Sequence, residues 1–163
     1  MNENFIYGIA KVEVGNATIG YIEKGSFQWG GTSPEATDIE AEQVPAAPVL
    51  SLLQKNGTIA PQFNLIQLDV NNLQTVMGGT VEGKKWSAPT DLVSVTDSVK
   101  ITTQSGAVID IPKATVQANL DGNLTLSEVS KVKVALKVLT PDGGGSPYSI
   151  DYTGTPAAGI EEG

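Results

Sequence analysis

The stretch EVSKVKVALKVLTPDG, residues 128–143, constrains the fold more than any other part of the chain. Val132, Val134, Leu136 and Val138 alternate with Lys131, Lys133 and Lys137, and only an extended strand turns a period of two into one apolar and one polar face. A helix would scatter the same residues around its circumference. One such strand cannot bury its apolar face alone, so others must cover it. DLVSVTDSVKITT (91–103) repeats the pattern, with Val93, Val95, Val99 and Ile101 on one face and Ser94, Thr96, Ser98, Lys100 and Thr102 on the other. AVIDIPKATV (107–116) is a further strand interrupted by Pro112, which implies an edge or a bulge because proline cannot donate to a ladder.

Further strands follow from shorter signals. FIYGIAKVEV (5–14), the turn Gly15-Asn16 and ATIGYI (17–22) predict an opening hairpin, since Gly-Asn suits a two-residue connection. TDIEAEQV (37–44) alternates, with Asp38, Glu40 and Glu42 opposite Ile39 and Ala41. PAAPVLSLLQKNG places two prolines before an apolar run and does not decide between states. TIAPQFNLIQLDV (58–70) ends in a strand from Gln62, PDGGGSP (141–147) reads as a flexible loop, and YSIDYTG as a last short strand. A single short helix is expected in DVNNLQTVM (69–77), capped by Asp69 or Asn71, with Val70, Leu73, Val76 and Met77 on one face and Gly78-Gly79 as its stop. The sum is a mostly-β chain: an antiparallel sandwich or barrel of about seven to nine strands with one short flanking helix. Its 163 residues suffice for one domain with a proper core.

GGTVEGKKW (78–86) reproduces most of the phosphate-cradling pattern G-x-x-x-x-G-K-[ST]. The position that must offer a hydroxyl to magnesium is Lys85, which cannot bind a cation. The glycines also follow a helix where the motif needs them to open one, and KWSAPTD beyond them reads as a loop. The match is a helix stop followed by a short strand.

The residues the chain lacks narrow the chemistry further. It has no cysteine and no histidine, and all ten of its basic residues are lysine. Disulfides, thiol nucleophiles, the commonest general base, the usual zinc ligands and the bidentate guanidinium clamp are therefore all missing. The expectation is a non-enzyme with no cofactor and no metal. The Ser98–Lys100 and Ser130–Lys131 pairs lie on strands and lack a third orienting group. A net charge of −8 disfavours adhesion to nucleic acid or an anionic membrane, and suits a surface past which a polyanion slides. No apolar run approaches the length of a membrane span, and MNENFIYGIA lacks the basic start and apolar core of a signal peptide. The N-x-T triplets at Asn16, Asn56 and Asn123 are chance matches in a threonine-rich chain.

Three groups remain as candidate sites. Asp38, Glu40 and Glu42 could hold a hard cation, line an acidic channel or form a solvated face. Lys131, Lys133 and Lys137 form either an anion-binding stripe or a solvent face that discourages strand-edge association. Phe27 and Trp29, among glycines in GSFQWGGTSPE, are either interface anchors or caps on an open end of the sandwich.

Several features, in this order, resemble the major tail tube proteins of long-tailed bacteriophages and prophages. They are the hairpin FIYGIAKVEVGNATIGYI, the aromatic-containing loop segment after it, the unit QFNLIQLDVNNLQTVMGG, the strand AVIDIPKATV and the closing strand VKVALKVLTPDG. The resemblance spans most of the chain through patterns of apolar and turn residues. It implies a single tail-tube-like β-sandwich over residues 1–153, followed by a flexible acidic tail over 154–163. It also implies hexameric rings that stack into a tube through which DNA passes unbound, in the virion tail, after assembly in the host cytoplasm. Tape-measure and tail-terminator proteins are the partners it implies. On this resemblance residues 23–60 and the 78–91 loop are expected to make inter-subunit contacts and to order only on assembly. Phe27, Trp29 and Trp86 are the candidate contacts, and Asp38, Glu40 and Glu42 the candidate lumen-facing strand. The alternatives are a tube subunit of a contractile injection system and a monomeric carbohydrate- or ligand-binding sandwich with Trp29, Trp86 and Phe27 as its stackers. A carboxylate-based hydrolase would need paired acids across a cleft, of which the sequence gives no sign.

Overall fold

The computed structural model describes residues 5–91 and 93–152; the tail expected over 154–163 lies outside them. The fold is mostly β, with antiparallel sheets and one short helix. Its main sheet runs in the order β2 (Ala17–Thr18), β1 (Lys11–Val14), β8 (Val95–Thr102), β9 (Val108–Asp121), β10 (Lys131–Val138), β5 (Gln62–Leu65), and β11 (Ser149–Asp151) also pairs with β9. Two small hairpins stand apart from it, β3 (Glu35–Ile39) with β4 (Leu50–Lys55) and β6 (Thr80–Glu82) with β7 (Lys85–Ser87).

The β1–β2 hairpin forms on the predicted turn. Gly15 and Asn16 both adopt left-handed backbone (φ 58° and 72°), as a two-residue hairpin connection with the natural strand twist requires. The chain leaving β2 then crosses to the far edge of the sheet, where Ile22 bridges Leu65 and Gln28 bridges Gln62. The sheet thus curls back towards its own first strands, sandwich-like, without closing into a barrel. Inside the curl lies one core, in which Val12, Val14, Phe63, Leu65, Val99, Ile101, Ile109, Ile111, Val132, Val134 and Leu136 are buried.

β9 explains how a central strand tolerates proline. It pairs with β8 on one side, and on the other with β11 through Val108–Asp110 and then with β10 from Ala114 onward. Pro112 falls between these registers, opposite the irregularity between Asp97 and Val99, so no ladder partner waits for the N–H it lacks. The bulge alternative is the observed one. Val93 corrects the expected inward face, because β8 begins only at Val95 and Val93 is exposed.

Helix α1 (Val70–Met77) packs on β8 and β9, with Val76 buried and Leu73 and Met77 against the core. Asp69 occupies the N-cap position in extended conformation, but its side chain makes no cap bond. Gly78 ends the helix at φ 77°, donating its N–H to the Gln74 carbonyl at 3.0 Å. The chain then turns back in the β6–β7 hairpin, so no helix follows the glycines and phosphate-cradling geometry does not arise. Lys85–Ser87, expected as loop, is strand because Trp86 pairs with Val81 across that hairpin.

Candidate assembly surface

The β3–β4 hairpin is an arm. All its strand residues are exposed, and its two strands pack on each other rather than on the main sheet. A two-stranded neck carries it out from the core. Gln28 and Gln62 exchange backbone hydrogen bonds at 2.8 Å, the Ala60 N–H donates to the Trp29 carbonyl at 2.9 Å, and the Thr58 N–H donates to the Thr32 carbonyl at 2.9 Å. Gly31, at φ 87°, lets the two backbones approach where a Cβ would collide with the Thr58 carbonyl. Within one chain this segment forms a hydrogen-bonded ribbon.

Register gives the arm its chemistry. Ile39 lies opposite Leu50 and Thr37 opposite Leu52, on one face; Asp38 lies opposite Ser51 and Ala36 opposite Leu53, on the other. Ile39, Leu50, Leu52 and Leu53 are all large exposed apolar residues, as are Val44 and Val49 in the connection between the strands. Two-stranded hairpins are marginal in water alone, and each strand of this one also leaves an outer edge without a backbone partner among the described residues. Exposed apolar surface of this kind is what interaction sites present.

The sequence candidates fall into place around it. Of the three acids, only Asp38 is on the strand; Glu40 and Glu42 lie beyond its end, because the chain turns at Ala41–Val44. The expected continuous acidic strand face is therefore an acidic arm tip. Among the described residues no three His, Cys, Asp or Glu come together as a metal-binding group. Phe27 does not stand exposed: it stacks on buried Phe63 at 6.3 Å and packs against the core. Trp29 meets Phe27 edge-on at 5.4 Å and stays more than a third exposed at the root of the neck. Trp86 is distant from both in role, donating its indole N–H to the Gly78 carbonyl at 2.8 Å and so finishing the end of α1. The structure joins Phe27 with Trp29, and gives Trp86 to the helix.

Lysines of β10 divide similarly. Lys131 pairs with Glu23 at 2.8 Å, and the other Glu23 oxygen accepts from the Asn64 side chain at 2.9 Å. That clasp ties the curled-back segment to β5 and β10. Lys133 and Lys137 are exposed on the sheet's outer face, without ion pairs among the described residues.

Beside Phe27 and Trp29 opens a cavity of about 710 Å³. Ile6, Ile9 and Ile22 line it with the two aromatics, and Lys24 stands among them. Tyr7 also lines it, and its hydroxyl is buried without a hydrogen-bond partner among the described residues. Sequence reading did not find this cavity, since its walls come from residues 6–9, 22–29 and 101–109. It also passed over Leu124 and Leu126, which project from the β9–β10 loop almost wholly into solvent. Their signal was an apolar pair inside a turn-rich stretch, DGNLTLSE, where polar residues are the norm. No protein-family model matches the chain, and no curated protein matches it.

Proposed function

We propose that this chain is a structural subunit that assembles with copies of itself into stacked rings, forming a tail tube of the long-tailed phage kind through which DNA passes without specific binding. The observation that carries this reading is the β3–β4 arm, whose apolar residues its own chain leaves exposed. Self-assembly covers such an arm, and it needs none of the histidine, cysteine or arginine chemistry the sequence lacks. The acidic balance fits a lumen that repels DNA. Tape-measure and terminator-type proteins, and a place in the virion tail, follow from the same resemblance. A tube of a contractile injection system shares the architecture and differs in what travels through it.

The test is a concentration series followed by light scattering and negative-stain electron microscopy. Rings or hollow tubes of uniform width are expected. A particle that stays monomeric at every concentration counts against the proposal. So do tubes formed by a variant deleted through residues 25–43. The cavity beside Trp29 favours a second reading, a monomeric ligand-binding module. On that reading, monomers bind a glycan or small ligand and Trp29→Ala abolishes the binding.

A further inference from the structure

We infer that the tip of the arm seats in the cavity at the root of a neighbouring copy's arm, so that one chain carries both halves of a head-to-tail contact. The inference rests on the self-assembly reading and names the surface that receives the arm.

Chemistry on the two sides is complementary. The tip offers Ile39, Val44, Val49 and Leu50 as apolar groups, with Asp38, Glu40 and Glu42 around them. The cavity offers Ile6, Ile22, Phe27 and Trp29 as apolar walls. It also offers Lys24, which has no ion pair among the described residues. Glu23, the one carboxylate on the cavity wall, is already held by Lys131. A cation and an apolar hollow thus await an acidic, apolar insert that presents free backbone edges.

Geometry selects another copy over the same chain. From Gln28 to Ile39 the chain passes through the hydrogen-bonded neck, with Gly30 and Gly31 at positive φ, into β3, and at no more than ~3.3 Å per residue the tip stands up to roughly 35 Å from its own root. The cavity lies at that root, among Phe27 and Trp29. For the tip to reach its own cavity, the neck bonds from Gln28–Gln62 to Thr32–Thr58 would have to break. A neighbour displaced by one arm length is reached with the neck intact. Because the two patches differ, the contact is heterologous and repeats from copy to copy, adding one layer each time.

Disulfide trapping suits a chain with no cysteine of its own. Val49→Cys and Ile6→Cys, each in the full chain, are mixed under assembling conditions and oxidised. A disulfide-linked dimer of the two variants is expected, and the double variant gives a ladder on non-reducing gels. Val49→Cys with Lys137→Cys, on the outer face of the sheet, is the control. The inference is overturned if assemblies form but Val49→Cys links to Ile6→Cys no faster than to Lys137→Cys. It is equally overturned if the double variant closes on itself as a monomer. Assembly without the expected link leaves the tube reading standing; failure of every variant and the parent to assemble removes both. A second readout needs no new cysteine. In a Trp86→Phe background the Trp29 emission shifts to shorter wavelength on assembly, and an unshifted spectrum in formed tubes rejects this seat for the arm.

Discussion

At the scale of single residues, the Glu23 clasp makes a pH-dependent contribution whose sign is fixed. Hydrogen bonds from Lys131 and then Asn64 hold the Glu23 carboxyl below the ordinary glutamate range, and the bond to Glu23 raises Lys131 in turn. A carboxyl whose folded value is depressed stabilises the fold above its unfolded value and loses that contribution as pH falls through the folded one. Glu23→Gln is therefore less stable than the parent at pH 7 in urea melts, and the gap closes as pH drops below the usual carboxylate range. A gap that is the same at neutral and strongly acidic pH removes the ionic account. Trp86 makes a different kind of contribution. Its indole N–H satisfies the Gly78 carbonyl at the end of α1, so Trp86→Phe should cost about 1 kcal/mol, the net value of one hydrogen bond. A loss near zero in denaturant melts shows that water replaces the indole at no cost. Neither role was legible in the sequence, where Glu23 was an unremarked acid and Trp86 a candidate contact, because both depend on residues brought together from distant elements.

At the scale of elements, legibility followed the period. β10 was readable outright, because Val132, Val134 and Leu136 alternate with polar residues and the structure buries all three. Pro112 was readable as a choice between edge and bulge, and only pairing on both flanks of β9 decided it. β4 was not readable. LSLLQK alternates poorly, and its preceding prolines resemble loop, so the partner that makes it a strand, β3, had to be seen first. Pattern reading also assumes that apolar residues go into their own chain's core. In the arm they do not, and this sets two strands of similar composition apart in substitution. Leu65→Ala, in the core, should cost about 2–5 kcal/mol through lost burial and a residual cavity. Leu52→Ala, on the arm, should stay within about 0.5 kcal/mol while raising the concentration needed for assembly. Denaturant melts and scattering together check the pair. An arm substitution that destabilises the monomer as much as the core one shows the arm to be packed on its own domain.

At the scale of the whole molecule, surface and charge point the same way. The arm leaves Ile39, Val44, Val49, Leu50, Leu52 and Leu53 exposed together, an apolar patch of the kind that marks an interaction site. Composition had set the sign of the charge without its distribution. Glu35, Asp38, Glu40 and Glu42 stand on the arm against Lys55 alone, while the strands of the main sheet mix Lys11, Lys100, Lys113, Lys131, Lys133 and Lys137 with Glu13, Asp97, Asp110, Asp121 and Asp151. Every copy nevertheless carries a net −8, so bringing copies together works against long-range repulsion even where the Lys24 contact attracts at close range. Repulsion between exposed charges is screened by salt, with a Debye length falling from ~30 Å at about 10 mM to ~8 Å at about 150 mM. An apolar seat is not weakened by the same change. The concentration at which scattering rises should therefore fall several-fold between those two salt levels, and fall again for Glu40→Gln/Glu42→Gln at low salt if tip repulsion outweighs the Lys24 attraction. If the onset instead moves to higher concentration as salt is added, opposite charges hold the copies together, and the lysine face of the sheet becomes the surface on which the acidic arm must be sought.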